Sequence, residues 1–404
     1  MIHESELRFP VILPEEPGME NRRLADVLAA ALDGLRPRFF RTAEEAGAFL
    51  RDCRTERTGV REKDGERFRP ILFAVSLGSD GVNLEYMRFL RLLRQEKDLL
   101  DGFVGGVITD GASDLYTKSV SRELVFTANA AGCAFVGRPL VEGTRTLSNF
   151  AVVAQNLDTD VENAYRQSAA VLVRELLNFG DGAGSGAHLL GNAGSVTAAD
   201  PGKNTDPAPE KKAPKILVLH ASIRATSNTL DLWHRTAELL PEMEIREISL
   251  RNGTLYDCAG CPYHTCLHFG EKNSCFYGGV MVDEVYPAVR EADAIVMLCA
   301  NYNDALSANL TAFINRLTAL FRQVRFYDKA LFAVVVSGYS GSDIVAEQLI
   351  AALNMNKTFY LPPRFALVET ANDAGQAARL PGIGGRIEAF AGNIRRTLSR
   401  RDQI

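Results

Sequence analysis

The C-terminal half of the chain alternates between short, uninterrupted apolar runs and longer stretches of helical period. Lys215–His220 (KILVLH), 294–299 (AIVMLC) and Ala330–Ser337 (ALFAVVVS) are the apolar runs, and 244–250 and 359–369 read as two further strands. Between them, apolar residues recur at helical spacing over 228–240, 280–291, 307–321, 343–354 and 385–400, which gathers them on one face of a helix. Strands that are apolar on both faces and separated by helices form a parallel sheet covered on both sides. Right-handed crossovers then predict a doubly wound, five-stranded α/β sandwich for residues 215–404.

The N-terminal half shows the same alternation less regularly. Helices are predicted over 23–35, 83–94, 119–131 and 160–177, and strands over 70–76 (PILFAVS), 102–109 (GFVGGVIT) and 133–136. These units echo those of the C-terminal half. Residues 1–179 therefore read as a second α/β domain, either a degenerate copy of the same fold or an independent one. Residues 180–214 break the pattern: they are rich in Gly, Ala and Pro and hold almost no large apolar side chains. Such a segment buries too little surface to offset its ordering entropy and is expected to be a flexible linker. As a coil it spans roughly 30–35 Å root-mean-square.

Composition narrows the function classes. A chain of 404 residues exceeds one ordinary core and fits two domains. The net charge of −5 gives no reason to expect a nucleic-acid or membrane surface. No apolar run is long enough to span a bilayer, and the start, MIHESELRFPVILPEE, has no basic region followed by an apolar stretch. The expected compartment is the cytoplasm. Of seven cysteines, four fall between Cys258 and Cys275. In a large cytosolic protein, a local cluster of this kind points to metal, cluster or redox use rather than to a disulfide framework.

The densest chemical signal follows the strand Lys215–His220: His220-Ala-Ser-Ile-Arg-Ala-Thr-Ser-Asn-Thr229. A turn of hydroxyls with one Arg, opening onto a helix, suits a phosphate, because backbone N–H groups and the helix dipole both favour an anion there. N-capping by Ser227 or Asn228 explains part of the pattern, but not Ser222, Arg224, Ser227, Asn228 and Thr229 together. A second polar loop, Asn301-Tyr302-Asn303, leaves the same sheet edge ahead of the helix over 307–321, and its aromatic and amides suit a flat ring.

The Ser-x-Arg-x-x-Ser-Asn-Thr turn, with the Asn-Tyr-Asn…Ser-Ala-x-Leu-x-x-Phe-Ile-x-Arg316 loop, resembles the NAD(P)H-dependent FMN reductases of the flavodoxin-like fold. The likeness runs from Lys215 onward, and within that group the nearer branch is the iron–sulfur flavoproteins. It implies that Ser222, Arg224, Ser227, Asn228 and Thr229 hold the FMN phosphate, and that Asn301, Tyr302 and Asn303 line the isoalloxazine. Ser337, Gly338, Tyr339 and Gly341, in a third rim loop, match the glycine-containing loop at the flavin's other edge. The family usually has Gly where Ala221 stands, and often Pro-Val before the tyrosine, where this chain has Ala300-Asn301.

The cysteines read Cys258-x2-Cys261-x4-Cys266-x8-Cys275. Thiolates so spaced can hold a [4Fe–4S] cluster, and Cys-x2-Cys also suits zinc with His264 or His268. A third reading is a loop without metal, packed by Phe269, Phe276 and Tyr277. In the N-terminal half, the polar stretches 110–123 and 137–143 are candidate binding loops or an ordinary capped helix start and turn. The basic residues Arg395, Arg396, Arg400 and Arg401 are expected on a solvated helix end.

The expected function is an FMN-dependent oxidoreductase, passing hydride from NAD(P)H to FMN and on to a small-molecule or protein acceptor, without a membrane or nucleic-acid partner. The alternatives are an electron carrier with no substrate of its own, and a binding protein whose flavin site has decayed. Relatives of this type assemble as homo-oligomers with the flavin at a subunit boundary, and the N-terminal half is a candidate for that second wall.

Overall fold

A computed structural model describes residues 9–18, 20–59, 68–180, 213–222, 227–250 and 255–401. Nearly all of the Gly/Ala/Pro-rich segment lies outside the described residues, as does Arg224. In chain order, the N-terminal half contains β1 (Phe9–Ile12), α1 (Arg22–Ala31), β2 (Pro37–Phe40), α2 (Ala43–Gly59), β3 (Arg69–Leu77) and α3 (Leu84–Gln95). It continues with β4 (Phe103–Gly111), α4 (Thr117–Ala130), β5 (Ala134–Gly143), α5 (Ala151–Asn156) and α6 (Val161–Gly180). The C-terminal half contains β6 (Lys215–His220), α7 (Asn228–Ala237), β7 (Glu244–Ser249), α8 (Tyr263–Gly270), α9 (Tyr286–Glu291) and β8 (Ala294–Ala300). It ends with α10 (Ala308–Phe321), β9 (Ala330–Ser337), α11 (Ser342–Leu349), β10 (Ala366–Thr370) and α12 (Ile383–Arg401). Among the described residues, no helix is long and apolar enough to cross a membrane.

Each half builds a five-stranded, all-parallel sheet. The orders are β2-β1-β3-β4-β5 and β10-β9-β8-β6-β7. Counted within each half, both are 2-1-3-4-5, the flavodoxin-like order. The echo between the halves is thus a repeated topology.

The structure departs from the sequence reading where strands are short or broken. β1 and β2 have four residues each; β1 is apolar and buried throughout but short and interrupted by Pro10, and β2 buries only Phe40. The stretch 137–143 is not a turn: β5 continues through Gly137-Arg138-Pro139, with a register shift against β4 and Arg138 at φ 57°. A bulge lets the strand pass residues that normally end it. Conversely, the strand expected over 359–369 starts only at Ala366, because Pro362 and Pro363 cannot donate to a ladder. The helix expected over 280–291 opens as a π-helical turn at Met281–Val285, and α8 falls inside the cysteine-bearing stretch that was expected to be loop.

Three apolar layers hold the molecule together. One is enclosed by α1, α6 and the first sheet, and another by α7, α12 and the second. The third is shared: residues of α3 and α4, such as Phe89 and Leu124, join one buried cluster with Phe313, Leu349 and Phe359 of the other half. Some of the polar contacts across this seam come in matched pairs. Phe135 and Leu361 exchange both backbone hydrogen bonds, each 2.9 Å, as an antiparallel bridge between the sheet-edge chains. Asn129, at the end of α4, donates to Cys133 O nearby (2.9 Å) and to Pro362 O across the seam (2.7 Å). Asn354, beyond α11, donates to Phe359 O nearby (2.7 Å) and to Val136 O across the seam (3.0 Å). Helix α4 follows the fourth strand of its half and packs on α11, which follows the fourth strand of the other. Equivalent elements meeting reciprocally is the pattern of an isologous, two-fold contact, here within one chain.

Candidate functional site

The strands of the second sheet are parallel, so the chain leaves β6, β8, β9 and β10 at one edge. Open α/β sheets bind ligands outside the carboxyl ends of the strands, where the order reverses. At that edge lies a cavity of about 530 Å3, lined by residues that follow all four of these strands. Its described lining residues run from Ser222 to Asn372, so the N-terminal half supplies none of them.

The turn after β6 forms the polar end. Ser227, extended at φ −88° and ψ 113°, caps α7 by accepting from Leu230 N at 3.3 Å. Its hydroxyl also meets Thr229 Oγ1 at 2.8 Å, and Thr229 Oγ1 meets Ser222 Oγ at 3.4 Å. These three hydroxyls form a chain beside the helix N-terminus, and all three residues line the cavity. Beneath them the buried His220 accepts at Nδ1 from Ser222 N (3.3 Å), which leaves the ring proton on Nε2. That nitrogen lies 3.4 Å from Glu247, which also meets His234 at 3.0 Å. His220 therefore anchors the turn, a role its place at the motif's start did not reveal.

Asn228 plays a different part from the one expected. Its side-chain amide donates to Ala371 O (3.2 Å) and Asp373 O (3.0 Å), and its Oδ1 accepts from Ala377 N (3.3 Å). The side chain ties α7 to the loop after β10, and only the backbone N–H remains for a ligand at the helix start.

The loop after β8 is a tight turn. Tyr302 and Ala305 exchange backbone hydrogen bonds of 3.2 and 3.1 Å, with Asn303 and Asp304 between them at φ 53° and 57°. Two successive positive φ values define a type I′ turn, and Asn and Asp are among the few residues that accept them. The turn projects Tyr302, half exposed, at the cavity mouth. Asn301 works on the turn itself: its Oδ1 accepts from Asp304 N (2.8 Å) and its amide donates to Ser340 O (2.8 Å), joining this loop to the next.

In that next loop, Gly338 and Tyr339 line the cavity, whereas Ser337 and Gly341 stand behind it. Ser337 Oγ meets Ser342 Oγ at 2.5 Å, both buried. Gly341 has φ 81°, and a Cβ there would lie 2.0 Å from Asp304 Oδ1, so only glycine fits. The lining also includes Ala300, Ser340, Ala371 and Asn372, which sequence reading missed. Ala371 and Asn372 follow an edge strand, so the rim rule was the one signal that could have found them.

The volume lies within the range of cofactor sites. Hydroxyls and a helix N-terminus at one end suit a phosphate, and the tyrosines at the other suit a ring. Among the described lining residues the only carboxylate, Asp304, accepts from the Asn301 amide at 3.1 Å. The residues present therefore fit FMN.

The cysteines do not fit a metal in the same way. Among the described residues, no three His, Cys, Asp or Glu side chains gather as a metal-holding group. The thiols instead lie within electrostatic reach of two tyrosines. Burial, then Cys261, Cys258 and Cys275, hold the Tyr277 hydroxyl above its ordinary value, and burial, then Cys275, does the same to Tyr286. Phe269, Phe276 and Tyr277 stack edge to face at 5.6 and 5.2 Å, filling the loop with rings. This arrangement supports neither the [4Fe–4S] cluster nor the zinc expected at Cys258, Cys261, Cys266 and Cys275. The buried Arg316 braces the segment, donating to Tyr256 O (3.4 Å) and Gly278 O (2.7 Å).

At the corresponding rim of the N-terminal half, polar side chains pair with one another. Arg23 grips the buried Asp110 through two bonds of 2.9 and 3.0 Å, and Asn21 donates to the same carboxylate at 2.7 Å. Asp114 is held below the usual carboxylate range by the Thr146 backbone and hydroxyl. Arg122, in the same stretch 110–123, donates to Glu347 of the other half at 2.8 Å, so the stretch serves both its own fold and the seam.

Residues 214–373 match the sequence profile of the NADPH-dependent FMN reductase family. No curated protein matches the chain. Among solved structures, RosB is 16% identical, covering 47% of this chain and 81% of its own, with a TM-score of 0.37. An NAD(P)H:quinone oxidoreductase from Methanothermobacter marburgensis is 13% identical, covering 47% and 96%, with a TM-score of 0.32. A WrbA-like flavodoxin from Agrobacterium tumefaciens is 12% identical, covering 46% and 99%, with a TM-score of 0.30. The profile match and the rim cavity fall on the same stretch, and the C-terminal half of the chain is thereby identified as a domain of the NADPH-dependent FMN reductase family.

Proposed function

We propose that the chain is an FMN-dependent NAD(P)H oxidoreductase that hands electrons to a small-molecule or protein acceptor. The observation that carries this reading is the cavity at the strand-order reversal, with the hydroxyl chain of Ser222, Thr229 and Ser227 at one end and Tyr302 and Tyr339 at the other. Ser227, Thr229 and the N–H groups opening α7 would hold the phosphate, while Arg224, in the same turn, would add charge. Tyr302, Asn303, Gly338 and Tyr339 would border the ring. Bound there, FMN supplies the hydride chemistry, and the protein's part is orientation and electrostatics.

The cavity is open and its tyrosines are exposed, at 53% for Tyr302 and 82% for Tyr339. An open mouth suits stacking of a nicotinamide and then of an acceptor on the same face. The test is to add FMN to the purified protein, remove free flavin, and titrate with NADPH and NADH without oxygen. Stoichiometric flavin that bleaches on addition of either donor is the expected result. A protein that retains no flavin would overturn the reading. One that retains flavin but is bleached by neither donor would favour an electron carrier.

A further inference from the structure

Four cations crowd one place in the seam between the halves, and none of them lines the rim cavity. Arg325, Lys357 and Arg138 approach the ring of Phe321 at 4.3, 5.3 and 5.8 Å from its centroid, and Arg322 lies 4.7 Å from the ring of Tyr263. Three come from the ends of helices in the C-terminal half: Arg322 and Arg325 follow α10, and Lys357 follows the last turn after α11. Arg138 comes from the other half, on the β5 bulge. Phe326 packs on Phe321 at 5.8 Å between centroids and anchors the ring to the shared core.

Among the described residues, none of the four forms an ion pair with a carboxylate. Arg325 donates to Phe321 O and Val324 O, a favourable place for one cation at a helix end. A helix C-terminus carries about half a negative charge, which does not balance four. Arg322 also keeps its buried Nε without a partner. Glu175, on α6, approaches Tyr327 rather than the cations, and burial pushes its own carboxyl up. Burial, then Arg138, Arg322 and Arg325, holds the Lys357 ammonium below its ordinary value, so the four do act on one another.

We infer that Arg138, Arg322, Arg325 and Lys357 form a binding site for a compact polyvalent anion of the phosphate class, which bridges the two halves of the chain. Guanidinium forks match phosphate oxygens two at a time. A chain with a net charge of −5 that gathers unpaired cations at an internal seam has local repulsion for an anion to relieve.

The experiment uses the full chain saturated with FMN, so that the flavin phosphate occupies the rim site, with inorganic pyrophosphate as the probe at constant ionic strength set by KCl. Saturable calorimetric binding and a rise in Tm are expected. Lys357→Gln and Arg138→Gln should each weaken pyrophosphate binding at least tenfold. Without pyrophosphate, Lys357→Gln should melt no lower than the parent, because one repulsive charge is gone. Arg138 is exposed, so its variant keeps the test open if the other fails to fold. Binding that both variants retain unchanged would overturn the proposal, as would a rise in Tm that KCl alone reproduces.

Discussion

At the scale of single residues, the cavity divides into groups that touch it and groups that hold those groups still. Ser227 does both, since its hydroxyl caps α7 and joins the chain of hydroxyls. Ser227→Ala should lose one phosphate hydrogen bond, so FMN affinity should fall about tenfold, near 1.4 kcal/mol, as read by flavin fluorescence titration. Stability should fall by about 1 kcal/mol for the lost cap. Buried tyrosines set an alkaline limit of their own. Tyr86 donates to Val120 O at 2.9 Å and Tyr286 to Arg316 O at 2.6 Å, and burial raises both hydroxyls above their ordinary value. The folded state keeps those protons after the unfolded chain has lost them. Their contribution is therefore complete below pH about 10 and lost as pH rises further. In a spectrophotometric titration, their ionisation should coincide with unfolding. A smooth transition centred near pH 10 that includes every tyrosine would contradict this.

At the scale of elements, the seam depends on a few amides. Asn129 serves two carbonyls through its amide and Phe365 N through its Oδ1. Asn129→Ala would leave those buried groups unpaired and should cost about 3 kcal/mol in chemical denaturation. The strands β6, β8 and β9 were legible because each is buried along nearly its whole length and so reads as an unbroken apolar run. The strands β1 and β2 were not, since four residues carry too little pattern. Local sequence misled at Gly137-Arg138-Pro139, where pairing to β4 overrides residues that would otherwise end a strand. The three rim loops were legible from their polar residues, but the division of labour within them was not. Which amide faces a ligand and which ties loops together is settled by neighbours distant in the chain, as with Asn228 and Ala371.

At the scale of the whole molecule, two sheets of the same strand order meet through equivalent helices and edges. The shared core makes the seam an interior rather than a surface contact, so the halves should unfold together. Their outer edges, β2 and β7, are short and alternate with exposed residues, which discourages pairing with further strands.

The paired side chains at the rim of the first half and the cavity at the rim of the second bear on how such a molecule can change. In an assembly of identical subunits, every substitution appears twice, so a carboxylate that plugs one pocket plugs both. Two halves of the same strand order in a single polypeptide escape that constraint. Asp110 and Arg23 pair at the rim of one half while Ser222, Ser227 and Thr229 line a cavity in the other, and each half can vary without its counterpart having to follow.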